Sequence, residues 1–416
     1  MRLRNLRAEQ RGERRRVAAD VVWEDLERPE QTLYFEAPAP FARDLDPSPD
    51  AFVLASLPFA VWLGERRIRV EGSICTRLRD GLQAATRIYA LWYDRCGPLR
   101  IEPEGGFVPV RPRPEPRSAC FLSGGVDGLA ALRANRLDYP RDHPDSIRDC
   151  LLLFGANNYE FDAAGPVAER LAAFERLERR LAGLAESEDF ELIPIHTSAR
   201  LLCPSYRCWT SVGFGAANTA VAHAFSRRFT KVIFASDGLG VNPLPGGSHP
   251  LLDQHYSSAA VHVHHEHAVM SRLEKLRLLA EWKPAMEIMQ PCHYVEVPEG
   301  GRINCGRCEK CIRTMLMLLA LGKLEEASAF ADDDVTPEMV EAIPVANAAK
   351  AEILEQSVAL LERIGREDLV EAIRRKTAHF RREPRGSWRH RARKLLRGVT
   401  GAGRRRRGGG RRGAGT

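Results

Sequence analysis

Residues 121–132, FLSGGVDGLAAL, have the types and spacing that suit phosphate binding. An apolar run ends in Ser-Gly-Gly, and a helix-like stretch follows at once. Consecutive glycines let backbone N–H groups face an anion, and the positive end of the following helix points to the same place. Ser123 offers a hydroxyl donor, while Asp127 can cap the helix or face a magnesium ion. The pattern predicts an anion-binding loop, with a tight turn that binds nothing as the alternative.

A second group of residues suits metal binding. Four thiols are spaced C-x12-C-x2-C-x2-C, and their clustering favours a metal over disulfides in a reducing cytosol. Four thiolates complete a tetrahedral zinc shell, which indicates a structural site; an iron–sulfur cluster is the competing interpretation. The x3-C-P continuation of bacterial ferredoxins is absent after the last cysteine, which favours zinc. The expected ligands are Cys292, Cys305, Cys308 and Cys311.

The glycine-rich loop also resembles a family motif. SGGVDG is similar to the SGGxDS motif of the PP-loop ATP pyrophosphatases, whereas the Walker pattern of P-loop NTPases is absent. The resemblance implies that the loop holds the pyrophosphate of ATP, with magnesium, and that Ser123 and Asp127 act in catalysis. Gly128 replaces the family's final serine, and one lost hydroxyl hydrogen bond costs about 1 kcal/mol. The nucleotide contacts implied are Ser123, Gly124, Gly125, Val126, Asp127 and Gly128.

The combination of loop and cysteines resembles one branch of that family. The 7-cyano-7-deazaguanine synthases carry a similar loop before a C-x(n)-C-x2-C-x2-C zinc knuckle. They use ATP and ammonia to convert a carboxylate into a nitrile. The resemblance covers about residues 116–320 and leaves 1–115 and the C-terminus unaccounted for. It implies a relative that adenylates a carboxylate or amide oxygen and then transfers nitrogen, with an unknown small-molecule substrate.

The alternation of strand-like and helix-like segments along the chain predicts an α/β fold. From residue 116, short apolar runs alternate with helical patterns, which is typical of a doubly wound parallel sheet. We expect a small β-rich N-terminal module, in which QTLYFEA, AFVLASL and RRIRVEGSIC are strands. The expected divisions are 1–115, a PP-loop domain at 116–325 that includes the knuckle at 292–311, a helical extension at 326–383, and a disordered Arg/Gly-rich tail at 384–416.

A polar, Gly/Pro-rich loop at 236–258 follows a strand at the expected ligand-binding edge. It is a candidate for contact with the acceptor substrate, with an ordinary surface loop as the equal alternative. The side chains proposed for that contact are Ser236, Asp237, Ser248, His249 and Asp253.

Three further sets contain reactive or charged residue types, but their spacing is a weaker indication of a functional site. Cys203 and Cys208 suit sulfur transfer, although small buried side chains are favoured. Arg272 and Lys275 reach far enough for a phosphate, although a solvated helix face is favoured. Four histidines in HVHHEH raise a second metal site, although buried or solvated rings are favoured: His262, His264, His265 and His267.

Charge and hydropathy bear on the binding partners and the cellular location of the protein. The 416-residue chain has a formal net charge of +7, but residues 381–416 hold 14 of the 62 Lys and Arg residues, so the main body is mildly acidic. This tail would bind RNA, DNA or acidic lipid without specificity, or stay solvated. No apolar stretch reaches the ~18 residues that span a bilayer, and no signal peptide is expected, which favours the cytoplasm.

These observations leave three hypotheses for function. The first is an ATP-dependent adenylating synthase with structural zinc. The second is a tRNA-base-modifying, sulfur-transferring enzyme of the same fold. The third is a non-catalytic nucleotide- or partner-binding protein in which Gly128 marks a decayed loop.

Overall fold

The computed structural model describes residues 1–109, 115–156, 167–203, 205–237, 244–292 and 303–382. Its centre is a ten-stranded, mostly parallel sheet in the order β12-β11-β8-β9-β10-β3-β2-β1-β4-β6, with β5 and β7 paired separately. The strands are β1 Arg2–Arg11, β2 Arg14–Val22, β3 Gln31–Pro38, β4 Arg67–Val70, β5 Ile74–Cys75, β6 Arg100–Pro103, β7 Phe107–Val108, β8 Ser118–Phe121, β9 Ile147–Phe154, β10 Glu191–Thr197, β11 Lys231–Ala235 and β12 His262–Glu266.

Helices cover both faces of this sheet. The described α-helices of six residues or more are α1 Pro49–Leu63, α2 Thr76–Trp92, α3 Val126–Asp138, α4 Val167–Glu188, α5 Phe214–Ala224, α6 Arg272–Ala280, α7 Lys283–Ile288, α8 Glu309–Ala320, α9 Pro337–Ala342, α10 Ala348–Glu355, α11 Val358–Arg363 and α12 Glu367–Arg382. One hydrophobic core holds α1, α2 and α5, and the other holds α3, α4 and α6 to α12. Among the described helices, none has the length and apolar character needed to cross a bilayer.

Side-chain alternation along the strands builds these two cores. On β9, Leu151 and Leu153 belong to one core, while Cys150 and Leu152 belong to the other. A strand that is buried on both faces reads as a continuous apolar run, which is why the four strands from β8 to β11 were detectable in the sequence. The expected α/β architecture with a largely parallel sheet is confirmed.

The first hundred residues extend the same sheet. β3 pairs antiparallel with β10, so the strands of the N-terminal region continue the sheet without a break. The strand predicted at QTLYFEA is confirmed as β3, and RRIRVEGSIC holds two short strands, β4 and β5, with a turn between them. The strand predicted at AFVLASL is wrong, because residues 51–57 lie inside α1, which starts at Pro49 and is buried all round. The domain divisions at 115, 325 and 383 remain predictions, and the tail at 384–416 lies outside the described residues.

The amino ends of the parallel strands are fastened by one buried carboxylate. Asp149, which is fully buried on β9, accepts hydrogen bonds from Arg228 Nη2 at 2.7 Å and Arg117 Nη2 at 2.9 Å. Arg228 also binds Asp44 at 2.9 Å, which ties this edge to the N-terminal region. The opposite edge of the sheet, where the strands end, carries the candidate site.

Candidate functional site

The glycine-rich loop turns sharply between β8 and α3. Gly124 has a φ of 71°, in the left-handed region that favours glycine, and a Cβ there would lie 3.2 Å from Leu177 Cδ1. Its carbonyl accepts a hydrogen bond from the Gln290 N–H at 2.8 Å. The loop is therefore a defined structure, anchored to both α4 and the segment that follows α7.

Several donors in this loop are free to bind a ligand. The first hydrogen bond of the α3 ladder runs from the Leu129 N–H to the Gly125 carbonyl at 3.1 Å. The N–H groups of Val126 and Asp127 therefore have no acceptor within the helix. Among the backbone hydrogen bonds of the described residues, none uses the N–H of Gly124 or Gly125 as donor, and the Ser123 side chain is exposed. Unpaired backbone donors at the start of a helix are the feature that an anion-binding loop requires.

Asp127 lies in the first turn of α3 between two cationic side chains from α6. Lys275 Nζ donates to one carboxylate oxygen at 2.8 Å, and Arg272 Nη2 donates to the other at 3.0 Å. Burial acts to raise the pKa of Asp127, but the charges of Arg272 and Lys275 outweigh it and lower that pKa. The carboxylate thus stays ionised and holds both cations beside the loop.

This pairing bears on the two roles expected for Asp127. It makes no side-chain cap, because the residue before α3 is Gly125. Both carboxylate oxygens are already bonded to cations, which argues against Asp127 as a magnesium ligand. The residue is better described as the group that positions Arg272 and Lys275.

The loop sits where the strand order reverses. From β8 the chain runs outward through β9 and β10, then returns to the other side of β8 for β11 and β12. The carbonyls that follow β11 close the crevice: Ser236 O accepts from Lys275 Nζ at 2.6 Å, and Asp237 O accepts from Arg272 Nη2 at 2.8 Å. Two of the predicted substrate residues are therefore brought to the loop, through their backbone.

Further positive charge adjoins Arg272. Arg313, on α8, donates to Glu309 at 2.6 Å, and Lys350, on α10, lies 3.5 Å from the same carboxylate. Burial lowers the pKa of Lys350 to about 8, and the charge of Arg313 acts in the same direction. Burial and the charges of Arg313 and Arg272 likewise lower the pKa of Lys310. Cations thus outnumber carboxylates in this group, as a site for a polyanion requires.

Gly128 has a packing role of its own. A Cβ at this position would lie 2.9 Å from the Phe121 carbonyl oxygen, closer than folded proteins tolerate without a shift. The glycine lets α3 approach the end of β8. A serine at 128 would displace the helix instead of simply adding a hydroxyl contact.

The four cysteines form one cluster. The ligand atoms of Cys292, Cys305, Cys308 and Cys311 all lie within 4.8 Å of one another, and the Sγ atoms of Cys308 and Cys311 are 3.4 Å apart. Zinc–sulfur bonds of about 2.3 Å in a tetrahedron separate the sulfurs by about 3.8 Å, so the cluster can hold a metal ion such as zinc. The Cys308 N–H points to Cys305 Sγ at 3.3 Å, and this turn starts α8.

The knuckle and the loop share a scaffold. Buried Asn304, directly before Cys305, donates to the carbonyls of Met289 at 2.8 Å and Ala329 at 2.9 Å, which fixes the start of the C-x2-C-x2-C segment. Gln290, two residues before Cys292, is the residue whose N–H binds Gly124. The knuckle also begins α8, the helix of Arg313. A metal there would organise both the back of the loop and its cation group.

The remaining sequence candidates lie elsewhere or have structural partners. His249 caps the short helix Pro250–Asp253 through Nδ1, at 3.0 Å from the Leu251 N–H. Ser248 Oγ donates to Asp253 Oδ2 at 2.6 Å, and Asp253 is fully buried. A hydrogen bond from Cys208 lowers the pKa of the Cys203 thiol. Among the described residues, the four cysteines are the one group in which three or more possible metal ligands come together.

Sequence reasoning underestimated α6. Arg272 and Lys275 were expected on a solvated face, but Lys275 is fully buried and Arg272 nearly so. The missed signal was their spacing, because Arg272 and Lys275 share a face with the apolar Leu276 and Leu279. A lysine on the apolar face of a helix demands a buried carboxylate or carbonyl partner.

Comparison with known proteins adds no assignment. No known family model, curated protein or solved structure matches this chain. Its function is therefore inferred from the site itself.

Proposed function

We propose that the protein binds ATP at residues 123–128 and adenylates a carboxylate or amide oxygen, with nitrogen transfer as the second step. The observation that carries the proposal is the convergence of unused loop N–H groups with Arg272 and Lys275 at the reversal of strand order. In open α/β sheets, ligands bind in the crevice at that reversal, beyond the carboxyl ends of the strands. An adenine nucleotide alpha hydrolase-like fold is the finer classification that we propose.

The chemistry asked of these residues is positioning and charge stabilisation. A substrate oxygen attacks the α-phosphorus of ATP, the bond to the β-phosphate breaks, and pyrophosphate leaves carrying the electron pair. The loop N–H groups and the two cations would hold the departing pyrophosphate and stabilise the charge that develops on it. Magnesium would neutralise phosphate charge when bound with the nucleotide, and we assign it no protein ligand.

The direct test is product formation. Purified protein is incubated with MgATP, ammonium chloride and pools of small carboxylic acids, and AMP and pyrophosphate are quantified. Lys275→Met should abolish product formation, because it removes a charged donor beside the loop. Lys231→Met is the matched control, since that lysine also pairs with one carboxylate, Asp145 at 2.9 Å, at the amino end of β11. Inactivity of the wild-type protein with every pool would refute the proposal.

A sulfur-transferring enzyme is the second candidate. The contact between Cys203 and Cys208 favours it, because this contact lowers the pKa of Cys203. A lower pKa increases the fraction of thiolate, which is the reactive form in persulfide chemistry. The discriminating substrate is total tRNA. AMP release with tRNA, lost in Cys203→Ser and unaffected in the buried control Cys96→Ser, would favour this candidate over nitrogen transfer.

A further inference from the structure

A buried carboxylate and a histidine form a pair beside the proposed nucleotide site. Asp253 is fully buried and accepts three hydrogen bonds: from Ser248 Oγ at 2.6 Å, from the His249 N–H at 3.2 Å and from His265 Nδ1 at 2.8 Å. The carboxylate therefore fixes the ring of His265. With Nδ1–H donating to a carboxylate, the neutral ring presents its lone pair at Nε2.

That second nitrogen is in an unusual position. The His265 side chain is only 7% exposed, and Nε2 has no hydrogen-bond partner within the described part of the chain. Buried polar atoms are nearly always paired, so a purely structural histidine here would be expected to use both nitrogens. The missing partner points to a ligand or substrate group.

The ring lies on the ligand-binding edge of the sheet. His265 is near the carboxyl end of β12, and its ring stacks on Phe234 of β11 with centroids 6.3 Å apart. Phe234 in turn lies 5.4 Å from Phe121, the residue at which β8 ends before the phosphate loop. Two strand spacings separate the backbones of His265 and Phe121 by about 10 Å. A substrate that spans the crevice can reach both groups.

We propose that His265, held by Asp253, is the base that takes a proton from the nitrogen nucleophile. This inference rests on the proposed function, which leaves that proton without an acceptor. The nitrogen attacks the adenylated carbon, a C–N bond forms, and the C–O bond breaks as AMP leaves with its electron pair. The proton lost by the nitrogen passes to Nε2, and Asp253 stabilises the resulting imidazolium.

One substitution separates a base from a structural contact. His265→Asn places an amide nitrogen where Nδ1 was, so the hydrogen bond to Asp253 is retained while the base at Nε2 is lost. The matched control is His264→Asn on the opposite face of β12, where the side chain is 41% exposed and pairs with Glu266 at 3.1 Å. Equal melting temperatures would show that both variants fold.

The two half-reactions are then measured apart. Exchange of labelled pyrophosphate into ATP reports adenylation, and ammonium-dependent AMP formation reports transfer. We expect His265→Asn to keep exchange and to lose transfer by about 10²–10⁴-fold, whereas His264→Asn keeps both. Wild-type transfer by His265→Asn would overturn the role of the base and leave adenylation intact. No exchange by the wild-type protein would overturn the proposed function, and the role of His265 with it.

A measurement without substrate tests the geometry. Long-range proton–nitrogen spectra of protein labelled with ¹⁵N-histidine, assigned with His265→Asn, should show Nδ1 protonated and Nε2 unprotonated in the neutral ring. A proton on Nε2 in the neutral ring would overturn the proposal whether or not the enzyme turns over.

Discussion

Two carboxylates at opposite edges of the same parallel strands each bind two cationic side chains, yet they differ in purpose. Asp149, at the amino ends, is fully buried and is shared by Arg117 and Arg228. Asp127, at the carboxyl edge, binds Arg272 and Lys275, and its side chain is 26% exposed. The first carboxylate is shut off from solvent by its two arginines, whereas the second adjoins unused N–H groups and further cations.

The comparison shows that the same arrangement, one carboxylate bound by two cations, can have two different roles. A carboxylate bound by two arginines in the interior fastens elements that are far apart in the chain, here Asp44, Asp149 and Arg228. At the carboxyl ends of the strands, the same arrangement holds Arg272 and Lys275 beside the loop, where we propose that they contact the nucleotide. Excess positive charge, a partly exposed carboxylate and a position at the reversal of strand order distinguish the second case.

Breaking the four-cysteine cluster should have the largest effect, and that effect should fall on the carboxyl ends of the strands. Cys311→Ser removes one of four ligands, and structural zinc sites in peptides carry about 10–16 kcal/mol of apparent binding free energy. We expect loss of zinc by elemental analysis, a lower melting temperature, and loss of MgATP binding because α8 and Gln290 are no longer fixed. Cys96→Ser, at a buried cysteine outside the cluster, should keep its zinc. Full zinc content in Cys311→Ser would contradict the assignment.

Asp149→Ala should be the most destabilising change at the amino edge. Removal of one partner of a buried ion pair leaves uncompensated charge and costs about 3–5 kcal/mol, measurable by urea unfolding. Asp145→Ala is the control, because that side chain is 43% exposed and its bond to Lys231 is worth less than about 1 kcal/mol. Similar losses for the two variants would erase the structural role given to Asp149.

Asp127→Asn should destabilise less than Asp149→Asn. The Asp127 side chain is 26% exposed, and Lys275 and Arg272 keep the carbonyls of Ser236 and Asp237 as partners, so the cost is about 1–3 kcal/mol. The account also requires that only the Asp127 variant alter MgATP affinity. If the Asp149 variant, once folded, alters that affinity as much, the two carboxylates do not differ in the way described.

Ser123→Ala should have the smallest effect and should be confined to binding. Ser123 is exposed, so the free energy of unfolding should change by less than about 0.5 kcal/mol. Loss of one hydroxyl hydrogen bond to a phosphate corresponds to about 1 kcal/mol, or roughly a five-fold weaker MgATP dissociation constant. Unchanged affinity would remove Ser123 from the nucleotide contacts.

The sequence predicts local features of this molecule well, because their causes are local. Apolar runs bounded by turns located β8 to β12, and two x2 spacings located the cluster completed by Cys308 and Cys311. AFVLASL was misassigned because a short run that is buried on every side has no periodicity to separate helix from strand. β1 and β2 were missed because their arginines depend on cross-strand partners, such as Arg7 with Asp20 at 3.0 Å.

The site was only half predictable for a similar reason. The glycines of the loop at 123–128 made that loop predictable. Its neighbours Ser236 and Asp237 were predictable because they directly follow a recognisable strand. The partners of Asp127 come from 145 and 148 residues further along the chain. Such pairings depend on how α6 packs against α3, which no local pattern encodes.

Calorimetric titration of MgATP, and separately of pyrophosphate, into the wild-type protein, Lys275→Met and Lys231→Met tests the central claim most directly. The account predicts one site in the wild-type protein, about 10–100-fold weaker binding in Lys275→Met from the loss of a charged hydrogen bond, and wild-type binding in Lys231→Met. Absence of binding in the wild-type protein, or equal loss in the two variants, would contradict it.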